Sequence, residues 1–225
     1  MTQTLGWRTW GKLLLVFHML LLAGCSQTTS NVGDTLQEAF LGLDDVDVSP
    51  DTIRELPYAS TYVRINNGQR VFMVLAFAEK NPRTGDEQLK WMAQDGGMIV
   101  TEKGRIVKTY NLFTTNLSNR TASAPMWRHN MPWFSRYDWA EKKQYGYVGN
   151  SNLFYLGKET LITPLWTQEL SHWQEDVTFP DLHASIHNQY WVNKENQVLK
   201  SIQYLGPELA RIEMTILKPY VDVQS

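Results

Sequence analysis

From Tyr58 onward, apolar and polar residues alternate with a period of two, and turn signals cut the pattern every eight to twelve residues. In "YASTYVRI" (58–65), Ala59, Thr61, Val63 and Ile65 share one face, and Tyr58, Ser60, Tyr62 and Arg64 the other. Asn66-Asn67-Gly68 then supplies the positive φ values that a tight hairpin needs. "VFMVLAFA" (71–78) is a continuous apolar run, which predicts a central strand covered on both faces. "LKWMAQDGGMIVTEKGRIVKTYNL" predicts three strands, with turns at Asp95-Gly96-Gly97 and Lys103-Gly104. Near the C-terminus, Ile212, Met214 and Ile216 alternate with Arg211, Glu213 and Thr215. No amphipathic helix of 10–15 residues separates the strands, which argues against βαβ units and for an antiparallel meander. The predicted fold is all-β, an antiparallel meander forming either an incompletely closed barrel or a sandwich, with one or two short N-terminal helices. One helix is expected over 34–41 with Asp34 as N-cap, the other at about 50–56, where Ser49, Pro50 and Asp51 supply the N-cap, N1 and first-turn acid.

The only cysteine, Cys25, ends an apolar run. The first twelve residues carry Arg8 and Lys12 and no acid, and the stretch from Leu13 to Ala23 is interrupted only by His18. That is well short of the ~20 residues a helix needs to span a bilayer, and the layout is that of a secretory signal peptide. It ends in Leu22-Ala23-Gly24-Cys25, which resembles the bacterial lipobox, where the cysteine sulfur takes a diacylglycerol and cleavage falls before it. The expected organisation is a removed signal peptide at 1–24, a lipidated Cys25 with a flexible tether to residue 33, and a single antiparallel β domain over 34–225. One acyl chain binds a membrane marginally and two or three hold it stably, so the anchor implies lasting membrane attachment. "SQTTSNVGD" after Cys25 has nothing to pack and suits a tether. Ser26 follows the cysteine in place of the aspartate that retains enteric lipoproteins in the inner membrane. By that resemblance, the expected location is the outer membrane, facing the periplasm.

Residues 1–24 hold two basic residues and no acid, so their removal moves the formal charge from −2 to −4. A weakly acidic chain with interspersed charges gives no electrostatic case for nucleic acid. With Cys25 acylated there is no thiol for a disulfide, a redox pair or a metal, and the fold rests on its core alone.

Catalytic motifs are missing. There is no G-x-S-x-G elbow and no phosphate-binding loop; "QDGGM" reads as a hairpin turn. His183 and His187 in "HASIH" have a helical metal spacing, but the segment runs into a strand pattern, where four residues span about 13 Å at ~3.3 Å each. Two polar-face histidines are the better reading, and no metal or cofactor is expected. "DDVDVSPD" has alternating acids without the glycine and distal glutamate of a calcium loop, so a solvated acidic loop is expected. Paired carboxylates for glycoside hydrolysis leave no sequence signature.

One stretch stands out. "PMWRHNMPWFSRYDW" (125–139) interleaves Trp127, Trp133, Phe134, Tyr137 and Trp139 with Arg128, His129 and Arg136. Aromatic faces stack on the C–H faces of sugars, and Arg donates to hydroxyls and carboxylates. Trp127, Arg128, Trp133, Arg136, Tyr137 and Trp139 are therefore the candidate glycan-binding residues. The plainer reading is that these aromatics, with Trp166 and Trp173, fill the mouth or interior of a β domain.

The lipobox at Cys25, "LPYAS.YVRI", "W.AQDGGMIVTEKGRIVKT" and the terminal "KPY" together resemble the YjbF/GfcB lipoproteins, which accompany exopolysaccharide and group 4 capsule secretion. The similarity covers about residues 45–220. A Gly-Leu pair is expected after the "GRIVKT" strand, where this chain has Tyr110-Asn111-Leu112. The resemblance implies an outer-membrane lipoprotein with an antiparallel β fold, working beside an outer-membrane β-barrel and a periplasmic protein in polymer export. It brings no catalytic residues. The function expected is non-enzymatic, assisting secretion by binding the export machinery, with acidic or neutral polysaccharide as a further ligand. A periplasmic polysaccharide-modifying enzyme and a lipid or glycolipid carrier are the alternatives.

Overall fold

The structure is a computed structural model that describes residues 45–122 and 127–221. The helix expected over 34–41 lies outside these. Helix α1 (Pro50–Glu55) forms where expected, with Ser49 Oγ accepting from Thr52 N at 3.1 Å, Pro50 in the first turn and Asp51 beside Arg54. Twelve strands follow: β1 (Ser60–Ile65), β2 (Arg70–Lys80), β3 (Glu87–Met92), β4 (Met98–Glu102), β5 (Arg105–Tyr110), β6 (Asn119–Ala122), β7 (Trp133–Trp139), β8 (Gln144–Ile162), β9 (Thr167–Phe179), β10 (Ala184–Val192), β11 (Val198–Tyr204) and β12 (Arg211–Lys218).

All described pairings are antiparallel, in the order β5-β4-β3-β2-β1-β12-β11-β10-β9-β8-β7-β6. The one break from sequence order puts β1 beside β12, which rolls the meander into a nearly closed barrel with an unsealed seam between β5 and β6. The seam is bridged at one end, where Thr109 N donates to Leu117 O at 2.8 Å and Leu117 N to Thr109 Oγ1 at 2.9 Å. At its other end no ladder joins β5 to β6 among the described residues. There Ile106 N donates instead to the Gln203 side chain of β11 at 2.9 Å, and Gln203 Nε2 donates to Gly104 O at 3.0 Å. The β4–β5 turn thus folds onto β11. Its glycine is required: Gly104 has φ +77, and a Cβ there would sit 2.3 Å from Val198 Cγ2.

The interior holds a large apolar cluster that includes Val63, Met73, Trp91, Ile99, Trp139, Val177, Phe179, Ile212 and Met214. Two connections, β7–β8 and β9–β10, are the same device: a 3₁₀ turn closed by a left-handed residue, Lys143 (φ 54) and His183 (φ 49). They set Trp139 and Phe179 side by side, with ring centroids 6.0 Å apart. The far half of the β8–β9 hairpin folds over the outer sheet face, where Trp166 Nε1 donates to Ile216 O (3.1 Å) and Leu217 O (3.2 Å).

One expectation changes, and two segments gain detail. β2 is not covered on both faces: its residues from Ala76 to Lys80 are exposed, because the register shift between Leu75 and Phe77 carries them past the packed interior. The acidic loop is exposed to solvent, and its acids make surface pairs, Asp45 with Arg64 and Asp47 with Arg70 (2.7 Å), with Asp45 also accepting from Arg70 N. After β5, Asn111 takes the left-handed conformation (φ 52) that a glycine would have filled.

Candidate functional site

Five inward-facing polar side chains meet in the barrel interior. β9 directs Ser171, Trp173, Glu175, Val177 and Phe179 to one side by simple alternation, and Glu175 is fully buried among them. On β10 the same parity brings in Asn188 and Tyr190; Asn188 faces Glu175 in register. Glu175 Oε2 accepts from Tyr190 Oη at 2.6 Å and Asn188 Nδ2 at 3.1 Å. Its Oε1 accepts from Arg120 Nη2 of β6 at 2.7 Å. Arg105, at the start of β5, places Nε 3.8 Å from the same oxygen, an ion pair too long for a hydrogen bond. Both guanidiniums are buried, Arg105 at 3% and Arg120 at 5% exposure.

Two cations share one carboxylate, leaving an excess of one positive charge. Burial by itself would push the Glu175 carboxyl up; the fields of Arg120 and Arg105 and the bonds from Tyr190 and Asn188 outweigh it and hold it down at about 2. Burial opposes the charge on Arg120, and Glu175 more than restores it. The Tyr137 phenol, buried beside them, is pushed up to about 12 chiefly by burial. Glu175 is therefore a fixed anion and no proton shuttle.

Aromatic rings wall the cluster. The Arg105 guanidinium lies 4.5 Å from the Trp127 ring centre and 5.3 Å from those of Trp133 and Tyr190. Trp127 packs on Tyr190 (5.1 Å) and Trp173 (6.1 Å), and Trp173 on Tyr155 (5.0 Å). The donors are not all used: Arg105 Nε and Nη2, Arg120 Nε and Trp133 Nε1 are buried with no hydrogen-bond partner.

The six residues singled out in the sequence separate. Trp127 and Trp133 join the Arg105 cluster. Tyr137 and Trp139 are 1% exposed, stacked on each other at 5.6 Å; Trp139 Nε1 donates to Leu205 O at 2.8 Å. They line the interior and offer no face to solvent. Arg128 and Arg136 are exposed, Arg136 on the outer face with Phe134. His183 closes its 3₁₀ turn, while His187 sits outside against Asp176 (2.7 Å), so the two do not converge. Arg105, Arg120, Glu175 and Tyr190 were missed. Glu175 had a signal, a charge in the inward row of Trp173, Val177 and Phe179.

Two depressions adjoin the interior. A polar cleft of about 230 Å³ lies where β6 faces the β2–β3 turn, lined by Asn81, Thr84, Gln88, Glu102, Asn119 and Arg120 among others. An apolar cleft of about 470 Å³ runs between β3–β4 and β11–β12, past Leu89, Trp91, Leu199, Met214 and Ile216.

The sequence model of the family described as "Group 4 capsule polysaccharide lipoprotein gfcB, YjbF" matches residues 33–217. The chain is 34% identical over 212 residues to the uncharacterized lipoprotein YjbF of Escherichia coli K12, covering 91% of this chain and 96% of that protein. It is 33% identical over 215 residues to the uncharacterized lipoprotein GfcB of the same strain, covering 92% and 98%. The crystal structure of the hypothetical lipoprotein YmcC from E. coli K12 superposes with a TM-score of 0.69 at 33% identity, covering 77% of this chain and 90% of that one.

Proposed function

The chain belongs to the YjbF/GfcB family of group 4 capsule polysaccharide lipoproteins, and on that basis we propose that it is a non-enzymatic accessory lipoprotein of exopolysaccharide or capsule secretion. Lipidated Cys25 holds it to the inner leaflet of the outer membrane, facing the periplasm. There it contacts the polymer in transit and the outer-membrane β-barrel and periplasmic proteins that export it. Tethering confines it to a thin layer and raises its effective concentration toward partners in that layer.

The observation that carries the reading is the interior cluster: a carboxylate with both oxygens engaged, surrounded by donors that are not. Such an arrangement favours holding an acceptor-rich ligand over exchanging protons with it. In a producing strain, deleting the gene or replacing Cys25 by Ser lowers the polymer displayed at the surface, while the polymer made keeps its chain length and composition. Wild-type display in both strains contradicts an export role. Altered chain length or sugar modification in the deletion strain points to the enzyme.

The apolar cleft of about 470 Å³ favours a second reading, a carrier of lipid or lipid-linked glycan, since it falls within the size range of small-ligand pockets. Saturable uptake of a fluorescent fatty-acyl probe, lost when Leu199 is replaced by Glu, supports the carrier.

A further inference from the structure

Beside the Tyr137 hydroxyl, which can donate or accept, four unused polar atoms near Glu175 are pure donors. Arg105 Nε and Nη2, Arg120 Nε and Trp133 Nε1 can only donate, and each is buried without a hydrogen-bond partner. A buried donor left unpaired carries its full desolvation penalty, and a charged one carries more. Four around one carboxylate would be expensive to keep unless something that accepts completes them. The charges say the same: Arg105 and Arg120 against Glu175 leave one positive charge over, and at the cleft rim Arg83 offsets Glu102.

The cluster comes nearest the surface at Arg120. Arg120 lines both the buried network and the polar cleft at the unsealed end of the seam. Glu102, in that cleft, is opposite Arg105 in the β4–β5 register, so both side chains leave the same face of the hairpin. The Glu102 carboxylate is already occupied by Asn81 Nδ2 (2.9 Å), Gln88 Nε2 (3.1 Å) and Thr84 Oγ1 (3.4 Å), so it competes little for the free guanidinium edges.

We propose that Arg105 and Arg120, with the indoles of Trp127 and Trp133 beside them, form a subsite for the carboxylate of an acidic sugar, a uronic-acid unit of the polymer entering at the seam. The excess charge of one matches a monoanion. A guanidinium edge presents two parallel N–H groups that fit a carboxylate, and an indole face with a free N–H suits the attached ring and its hydroxyls. The inference rests on the polymer-handling reading above and names the chemistry of its ligand.

Calorimetric titration of the purified full chain in detergent tests it, with sodium glucuronate as probe and glucose and sodium sulfate as comparisons. Glucuronate binds saturably and at least about tenfold more tightly than either: glucose lacks the charge-assisted hydrogen bonds, and sulfate brings a second charge against an excess of one and no ring for the indoles. Arg105→Gln weakens glucuronate about tenfold or more, while Arg136→Gln on the outer face leaves it unchanged. Near-UV circular dichroism of Arg105→Gln establishes that the variant is folded. A second readout needs no change at the arginines: the Trp133 indole N–H resonance, assigned with Trp133→Phe, shifts with glucuronate and not with glucose. Equal binding of sulfate or glucose, no heat with glucuronate, or a folded Arg105→Gln that binds normally overturns the subsite. Polymer that binds while glucuronate does not leaves the export reading standing and removes only this inference.

Discussion

Arg120 of β6 donates through Nη2 to Glu175 Oε1 of β9 at 2.7 Å, joining two strands that lie three places apart in the sheet. The bond crosses the barrel interior and ties the short last strand to the long central hairpin. Glu175→Gln leaves two buried guanidiniums without a counter-charge. The expected cost is about 3–5 kcal/mol, the penalty for breaking a buried ion pair from one side. Urea unfolding followed by tryptophan emission measures it; a loss below about 1 kcal/mol, typical of an exposed pair, contradicts the account.

The same carboxylate sets an acid limit. Its folded pKa, about 2, lies below its ordinary value of 4.5. The stability it contributes is complete above pH 4.5 and is lost as pH falls toward and through about 2. Urea midpoints for the natural chain should therefore fall across that window. In Glu175→Gln the part of the slope due to this group disappears; parallel profiles for the two proteins contradict the assignment.

Gly104 is where the β4–β5 turn meets β11. Gly104→Ala combines a left-handed backbone with a Cβ 2.3 Å from Val198 Cγ2, and about 2 kcal/mol or more of stability should go. Adding Val198→Ala restores only the steric part. Thermal denaturation of Gly104→Ala, Val198→Ala and the double variant separates the terms, and an unchanged midpoint for Gly104→Ala refutes this docking.

Trp166 fastens the β8–β9 hairpin over the outer face through two backbone carbonyls. Trp166→Phe keeps a ring and loses both bonds, at a cost of about 1 kcal/mol. Amide hydrogen exchange should accelerate near Thr163 and Trp166 with the β1–β5 strands unaffected. Uniform acceleration would mean that the hairpin is part of the global core.

Much of this fold was legible because its strands obey local rules. The β3–β5 run and the β10–β12 run follow from alternation and from Asp95-Gly96-Gly97 and Lys103-Gly104, and α1 follows from Ser49-Pro50-Asp51. Barrel and sandwich could not be told apart, because closure turns on β1 meeting β12 and on Thr109 reaching Leu117, and the first pairing is far beyond any local pattern. The aromatic stretch held more than its composition suggested. Period two divides it: Trp133, Ser135, Tyr137 and Trp139 point inward, Phe134 and Arg136 outward. Arg105 was hidden because the shift between Val100 and Thr101 breaks the hairpin's parity beside it. Arg120 sits in a four-residue strand too short to show a pattern.

Whether this protein holds the polymer at the Trp127–Arg105–Trp133 wall is tested most directly by tryptophan emission of the full chain in detergent during titration with its producer's own polysaccharide. Saturable quenching, lost in Trp127→Phe or Trp133→Phe and kept in Trp166→Phe, is the predicted result. No change in emission at millimolar repeat units, or quenching that survives both replacements, contradicts it.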